Sequence, residues 1–237
     1  MSVTLVTGGS NGIGRAIASA RRAAGETVII LDREPPDVSD CVEYVAADLA
    51  DIDALERKMD EVVASYEVTR LVNSAGVALL SPLESLCIGD FRKTMDINLL
   101  APAIIAKAVV GTMKSAGFGR ILNIASRSAL GHTLRTSYSS SKGGLISATR
   151  VWALELGGYG ITVNAIAPGP IETELYRRAN PPESEATQNV VVSVPVRRLG
   201  TPEDIAFAAD YFLDARSGFT TGQTLFVCGG LTIGGVR

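Results

Sequence analysis

The sequence predicts an α/β fold: a doubly wound, Rossmann-type parallel sheet with helices on both faces, in a single domain over 1–237. Three features point to it. Apolar segments rich in β-branched residues alternate with longer segments of helical periodicity along the chain. The strand segment 27–31 runs without polar alternation, as a strand covered on both faces of a parallel sheet must. Glycines cluster where the first strand segment gives way to the first helix. Taken in order, Val3–Thr7 is a strand, and Ile13, Ala16, Ile17, Ala20 and Ala24 then form the apolar stripe of a helix over 12–24 that Gly25 ends. Strands follow at 27–31 and 42–46, joined by a short link that contains Pro35 and Pro36. A helix over 52–66, a strand over 70–73 and a long helix over 91–114 come next. The alternation closes with strand 120–125, helix 138–156, strand 162–167, helix 203–212 and strand 224–227. Such units form right-handed crossovers between parallel strands. Between Gly169 and Gly200 periodicity lapses and Pro170, Pro181, Pro182 and Pro195 accumulate. A loop of that length in a compact domain is usually a lid or binding loop, which puts a substrate loop at roughly 170–198.

Composition narrows the function classes. Of 237 residues, 46% are hydrophobic, enough for a packed core and too many for a disordered chain. A net charge of −3 gives no electrostatic reason to expect nucleic acid or an anionic membrane as partner. Cys41, Cys87 and Cys228 are odd in number, far apart and without metal-ligand spacing, so they read as reduced thiols and no metal is expected. With no apolar run of about 18 residues and no signal-peptide layout, the expectation is a soluble, cytoplasmic protein.

The chemistry starts at "TGGSNGIG", residues 7–14. Placed between a strand and a helix, Gly8 permits the tight turn, Gly12 lets backbone approach a pyrophosphate and Gly14 allows close helix–strand packing. The helix N-terminus turns unpaired N–H groups and a partial positive charge toward the phosphates. Asp32 ends the second strand, where a carboxylate accepts the hydroxyls of an adenosine ribose and repels a 2′-phosphate, favouring NAD over NADP. Arg33 beside it would soften that discrimination. Asp48, followed by Leu49, comes after the third strand, at a place suited to the adenine amino group. Asn73-Ser74-Ala75-Gly76 ends the fourth strand, at the same carboxyl edge. Further on, "TSYSSSKGG" puts Tyr138 and Lys142 four residues apart, on one face of a helix.

Read together, these motifs resemble the short-chain dehydrogenase/reductase family over almost the whole chain. The matching residues are "TGGSNGIG", Asp32, Asp48, "NSAG" at 73–76, Asn98 in "DINLL", Ser126 in "NIAS", "YSSSK" at 138–142 and "PGPIET" at 168–173. The resemblance implies a catalytic tetrad of Asn98, Ser126, Tyr138 and Lys142. Tyr138 would be the general acid/base, Lys142 would stabilise its phenolate and hold the nicotinamide ribose, and Ser126 would orient the substrate oxygen. Asn98 would hold a helix irregularity and a water of the proton relay. The implied dinucleotide site comprises Gly8, Asn11, Gly12, Ile13, Gly14, Asp32, Arg33, Asp48, Leu49, Asn73, Ala75, Gly76, Tyr138, Lys142, Pro168, Gly169, Ile171 and Thr173. Departures from the family pattern are Ser74 for a second asparagine, a gap from Ser126 to Tyr138 one residue short, which lets Ser128 compete with Ser126, a link after Asp32 too short for a helix, and Cys228 where aspartate is common.

The expected activity is interconversion of a small secondary alcohol and a ketone with NAD(H), in a homotetramer paired through the helix that bears Gly143, Gly144, Ala148 and Ala153. Competing readings are an NADPH-dependent 3-oxoacyl-thioester reductase, a cyclic dihydrodiol dehydrogenase and, from another class, a dinucleotide-binding regulator without turnover. Arg127 and Arg135 are either exposed loop arginines or the recognition groups of an anionic substrate. His132 is a loop bystander or a substrate contact, and Trp152 packs in a core or an interface.

Overall fold

The computed structural model describes residues 2–37 and 43–233. Seven parallel strands form one sheet in the order β3-β2-β1-β4-β5-β6-β7, the doubly wound arrangement expected. The strands are β1 (Val3–Thr7), β2 (Thr27–Asp32), β3 (Glu43–Ala46), β4 (Val68–Asn73), β5 (Gly119–Ile124), β6 (Ile161–Pro168) and β7 (Thr224–Val227). Val42, where the sequence reading starts the third strand, lies outside the described residues, as do residues 38–41 of the link after Asp32. The helices are α1 (Gly12–Ala23), α2 (Ile52–Ser65), α3 (Ile88–Met95), α4 (Ala101–Ala116), α5 (Thr136–Leu156), α6 (Glu174–Ala179), α7 (Glu185–Ser193) and α8 (Pro202–Leu213).

Period-two alternation along strands buried on both faces builds two cores at once. Leu5, Ile29, Leu31, Leu71, Ile121 and Val163 face α2, α4 and α5 on one side. Val6, Val28, Ile30, Val72, Leu122 and Ile166 face α1 and α8 on the other. The strand order reverses between β1 and β4, so their carboxyl ends diverge and open the crevice where ligands bind in such sheets.

Three expectations change. The helix expected over 91–114 starts at Ile88 and is interrupted by a π-helical turn, Asp96–Leu100, before continuing as α4. The cause is Asn98, which is fully buried and bonds sideways to Val77 instead of letting the helix run on. Taken whole, Ile88–Ala116 is also long and apolar enough to cross a membrane, contrary to the count of apolar runs. Half of that stretch is buried within the protein, and Ile104, Ile105, Val109 and Met113 pack in the first core, so here it is a core helix. Finally, the segment after Gly169 is not one open loop. It folds into α6 and α7, each started by a side-chain cap: Thr173 accepts from Tyr176 N–H at 3.1 Å, and Ser184 accepts from Thr187 N–H at 3.2 Å.

Candidate active site

The glycine turn between β1 and α1 is shaped by backbone that comes too close for side chains. Gly8 has φ +65°, and a Cβ on it would lie 2.8 Å from Cα of Ala75. A Cβ on Gly14 would sit 2.1 Å from the Gly8 carbonyl oxygen. Gly12, with φ +54°, lies under Thr173, whose methyl would be 3.2 Å from an added Cβ. The segment after β6 therefore closes over the turn, and the cradle is open enough for a pyrophosphate only because these positions lack side chains. Thr7 fixes the far wall, its hydroxyl accepting from Ser74 N–H and Ala75 N–H, both at 3.1 Å.

Asp32 stands at the end of β2 with its carboxylate oriented by Ser10 N–H at 3.0 Å and Arg33 N–H at 2.7 Å. Arg33 is exposed and reaches Glu34 at 3.3 Å, so a second carboxylate already faces its guanidinium. Asp48 is exposed and accepts from Ala50 N–H, whereas the Leu49 side chain packs in the first core. Ile13 and Ile171 pack in the second core, Gly169 lies against Cys228, and Pro168 is the last residue of β6. Asn11 precedes α1 as its N-cap residue and is exposed.

The other end of the crevice assembles from β4, β5, the π-helical turn and α5. Burial raises the Tyr138 pKa, while the neighbouring Ser126 hydroxyl and the charge of Arg135 act to lower it. Lys142, one turn along α5, is buried with its ammonium 5.9 Å from the centre of the Tyr138 ring and donates to the Ile124 carbonyl at 2.7 Å. Burial pushes its pKa down from 10.5 to about 8. The Asn98 amide is spent on both backbone groups of Val77, at 2.9 Å each, and on Ser141 at 3.0 Å. Ser141 in turn donates to the Tyr138 carbonyl at 2.8 Å, which ties the π-helical turn to the helix that carries Tyr138. Gly76 fits between Asn98 and Lys142, where a Cβ would be 3.1 Å from one and 3.3 Å from the other.

Ser128 accepts from Arg135 at 3.2 Å and Ser126 accepts from the Ser128 N–H, and of the two hydroxyls it is that of Ser126 that bears on the Tyr138 phenol. Beneath the site runs a buried chain that motif reading passed over: Asn73 donates to Asn123 and Asn123 donates to Thr149, both at 2.9 Å, linking β4, β5 and α5. Asn123, an amide inside a buried strand, was the available signal. His132 is exposed, with Nδ1 at 3.0 Å from the Thr133 carbonyl, and Trp152 packs against the first core.

A family model described as enoyl-(acyl carrier protein) reductase matches residues 8–232, nearly the whole sheet and both ends of the site. The chain belongs to the short-chain dehydrogenase/reductase family. Among curated relatives in this family, the (2S)-[(R)-hydroxy(phenyl)methyl]succinyl-CoA dehydrogenase subunit BbsD of Thauera aromatica is 35% identical, with 98% of this chain and 96% of the relative covered. The NAD-dependent glycerol dehydrogenase of Listeria innocua is 33% identical over 98% of this chain and 94% of its own length. Among solved structures, a proposed NAD(P)-dependent gluconate 5-dehydrogenase of Beutenbergia cavernae, with NADP bound at low occupancy, superposes with a TM-score of 0.93 at 32% identity. That match covers 98% of this chain and 97% of the other. The family supplies the class of reaction, an oxidoreductase acting between alcohol and ketone with a dinucleotide.

Proposed function

We propose that this chain is an NAD(H)-dependent dehydrogenase that interconverts a small secondary alcohol and a ketone, with Tyr138 as general acid/base. The observation that carries the reading is the Tyr138 phenol beside Ser126 and one helical turn from the buried Lys142, at the carboxyl edge that also bears the glycine cradle and Asp32. Bound nicotinamide would accept the hydride from the carbinol carbon in oxidation, or return it in reduction. The chain's own residues handle the proton. Ser126 holds the substrate oxygen, and the Tyr138 phenolate takes the hydroxyl proton of the alcohol, or the phenol gives it to the ketone. Lys142 offers a positive charge to that phenolate and a donor to the ribose. Asn98 is a positioning residue, since its amide is engaged by Val77 and Ser141. The test is initial rates with secondary alcohols and ketones in the presence of NAD(H) and of NADP(H); absence of turnover with every pair sinks the reading.

Cofactor choice follows from Asp32. A 2′-phosphate brought to its oriented carboxylate meets repulsion, and Glu34 already faces the Arg33 guanidinium. A preference for NAD(H) of at least roughly tenfold in kcat/KM, about 1.4 kcal/mol, is expected. Asp32→Ala should erase most of it by helping NADP more than it harms NAD. Equal use of both dinucleotides by the wild type would show that Asp32 does not face the ribose.

The proposed setting is the cytoplasm and the proposed assembly a homotetramer. Exposed apolar side chains support the assembly: Val151 and Leu154 on α5, Phe207 and Tyr211 on α8, and Phe219 beyond it. Of the small residues on α5, Gly143 borders open space, whereas Gly144 packs on Leu99 and Ala153 lies in the core. Light scattering at micromolar concentration should return four times the chain mass, and a monomer would contradict the assembly.

A further inference from the structure

The reading above leaves four polar side chains beside Tyr138 without a task. Arg135, the residue just before α5, places its guanidinium carbon 6.0 Å from the centre of the Tyr138 ring and donates one nitrogen to the Ser128 hydroxyl. Arg127 follows Ser126 directly, in the short turn 127–130. No described residue forms an ion pair with Arg127 or Arg135. On the segment that folds over the site, α6 supplies Tyr176 and Arg177. The Tyr176 hydroxyl is buried with no hydrogen-bond partner, and Arg177, held by Glu172 at 2.8 Å through Nε, keeps a buried Nη1 that also has none. These groups share one neighbourhood: burial raises the Tyr176 pKa, and the charges of Arg177, Arg135 and Arg127 oppose that rise. Arg135 acts in the same way on Tyr138, so its charge reaches both phenols.

Two arginines without acidic partners and two buried donors without acceptors form a site that lacks its anion. Neutral polyols would leave the guanidinium charges uncompensated. Resting on the dehydrogenase reading, we propose that the substrate is a hydroxy acid, or the corresponding keto acid, whose carboxylate is bound by Arg127, Arg135 and the Tyr176 hydroxyl. Because Arg135 sits so near the Tyr138 ring, the carboxylate lies close in the substrate to the carbon that is oxidised. Because Tyr176 belongs to α6, the anion also draws the segment after β6 onto the bound substrate, giving this loop a ligand that it senses directly.

The experiment compares hydroxy acids with neutral counterparts of the same shape: 3-hydroxybutyrate with 3-hydroxybutyramide, and gluconate with gluconamide, each with NAD and with NADP. The wild type should favour the acid of at least one pair by roughly tenfold or more in kcat/KM, the scale of one charge-assisted contact. In Arg127→Gln and in Arg135→Gln the acid-to-amide ratio should fall toward one. Tyr176→Phe, which removes a single oxygen and keeps the packing, should lower the ratio severalfold through KM rather than kcat. A thermal shift of the wild type with each acid, absent with its amide, reads the same contact without turnover. Turnover of the amides at least as fast as the acids, or a ratio that survives both arginine variants, would overturn the hydroxy-acid assignment and leave the dehydrogenase reading standing. No turnover of any alcohol with either dinucleotide would overturn both.

Discussion

Tyr138→Phe is expected to lower kcat by on the order of 10²–10⁴-fold while the dissociation constant for NADH changes by less than about threefold. The magnitude is that of a positioned general acid/base, and the selectivity follows from what the substitution removes. The ring stays in place, and only the hydroxyl beside Ser126 is lost. The glycine cradle and Asp32 stand on β1, α1 and β2, away from the altered atom, so dinucleotide affinity should persist. Steady-state rates and a fluorescence titration with NADH separate the two quantities. The pH dependence has a definite sign. Burial holds the phenol above its ordinary pKa, so phenolate is scarce at neutral pH; alcohol oxidation, which needs phenolate, should accelerate as pH rises, and ketone reduction, which needs the phenol, should slow. A variant that keeps more than about a tenth of the wild-type kcat would remove Tyr138 from this role.

The sheet was legible because parallel strands buried on both faces are dominated by apolar and β-branched residues instead of alternating with exposed polar ones, and β1, β2, β4, β5 and β6 are buried at nearly every position. The glycine turn was legible for a related reason: a backbone that passes within 2.1 Å of a position excludes every residue but glycine, so the constraint is written in the sequence. The π-helical turn was hidden because its cause lies elsewhere in the chain. Nothing in "DINLL" shows that Asn98 will meet both backbone groups of Val77, 21 residues earlier. The two helices of the segment after β6 escaped a periodicity search because α6 has only six residues and α7 nine, although the Thr173 and Ser184 caps were visible in the sequence. The orphan hydroxyl of Tyr176 was equally invisible, since lacking a partner is a property of packing.

Lys142 should prove to be a residue that the fold tolerates at a cost. Its ammonium is buried and its pKa sits at about 8 instead of 10.5, so the ligand-free protein carries a charge that burial disfavours. Two unit charges about 6 Å apart at an effective dielectric near 20 interact by roughly 3 kcal/mol, about two pH units. Partial loss of the Lys142 proton near pH 8 reduces that coupling. Lys142→Met is therefore expected to move the rising limb of alcohol oxidation upward by on the order of one pH unit and to lower kcat/KM at neutral pH by roughly 10²-fold. An unchanged pH profile with weaker dinucleotide binding alone would confine Lys142 to the ribose. The stability of the ligand-free protein offers a second measurement with its own sign. Between pH 8 and 10.5 the unfolded chain keeps the Lys142 proton that the folded chain has released, so unfolding free energy must rise with pH across that window. Urea unfolding of the wild type against Lys142→Met, from pH 7 to pH 10.5, should show the difference between them shifting in favour of the wild type as pH increases. The stabilisation is fully present above 10.5 and is lost as pH falls through about 8. Lys142 thus weakens the resting protein under the conditions in which its positive charge is available to the Tyr138 phenolate, which is what a buried lysine kept for chemistry rather than for folding should do.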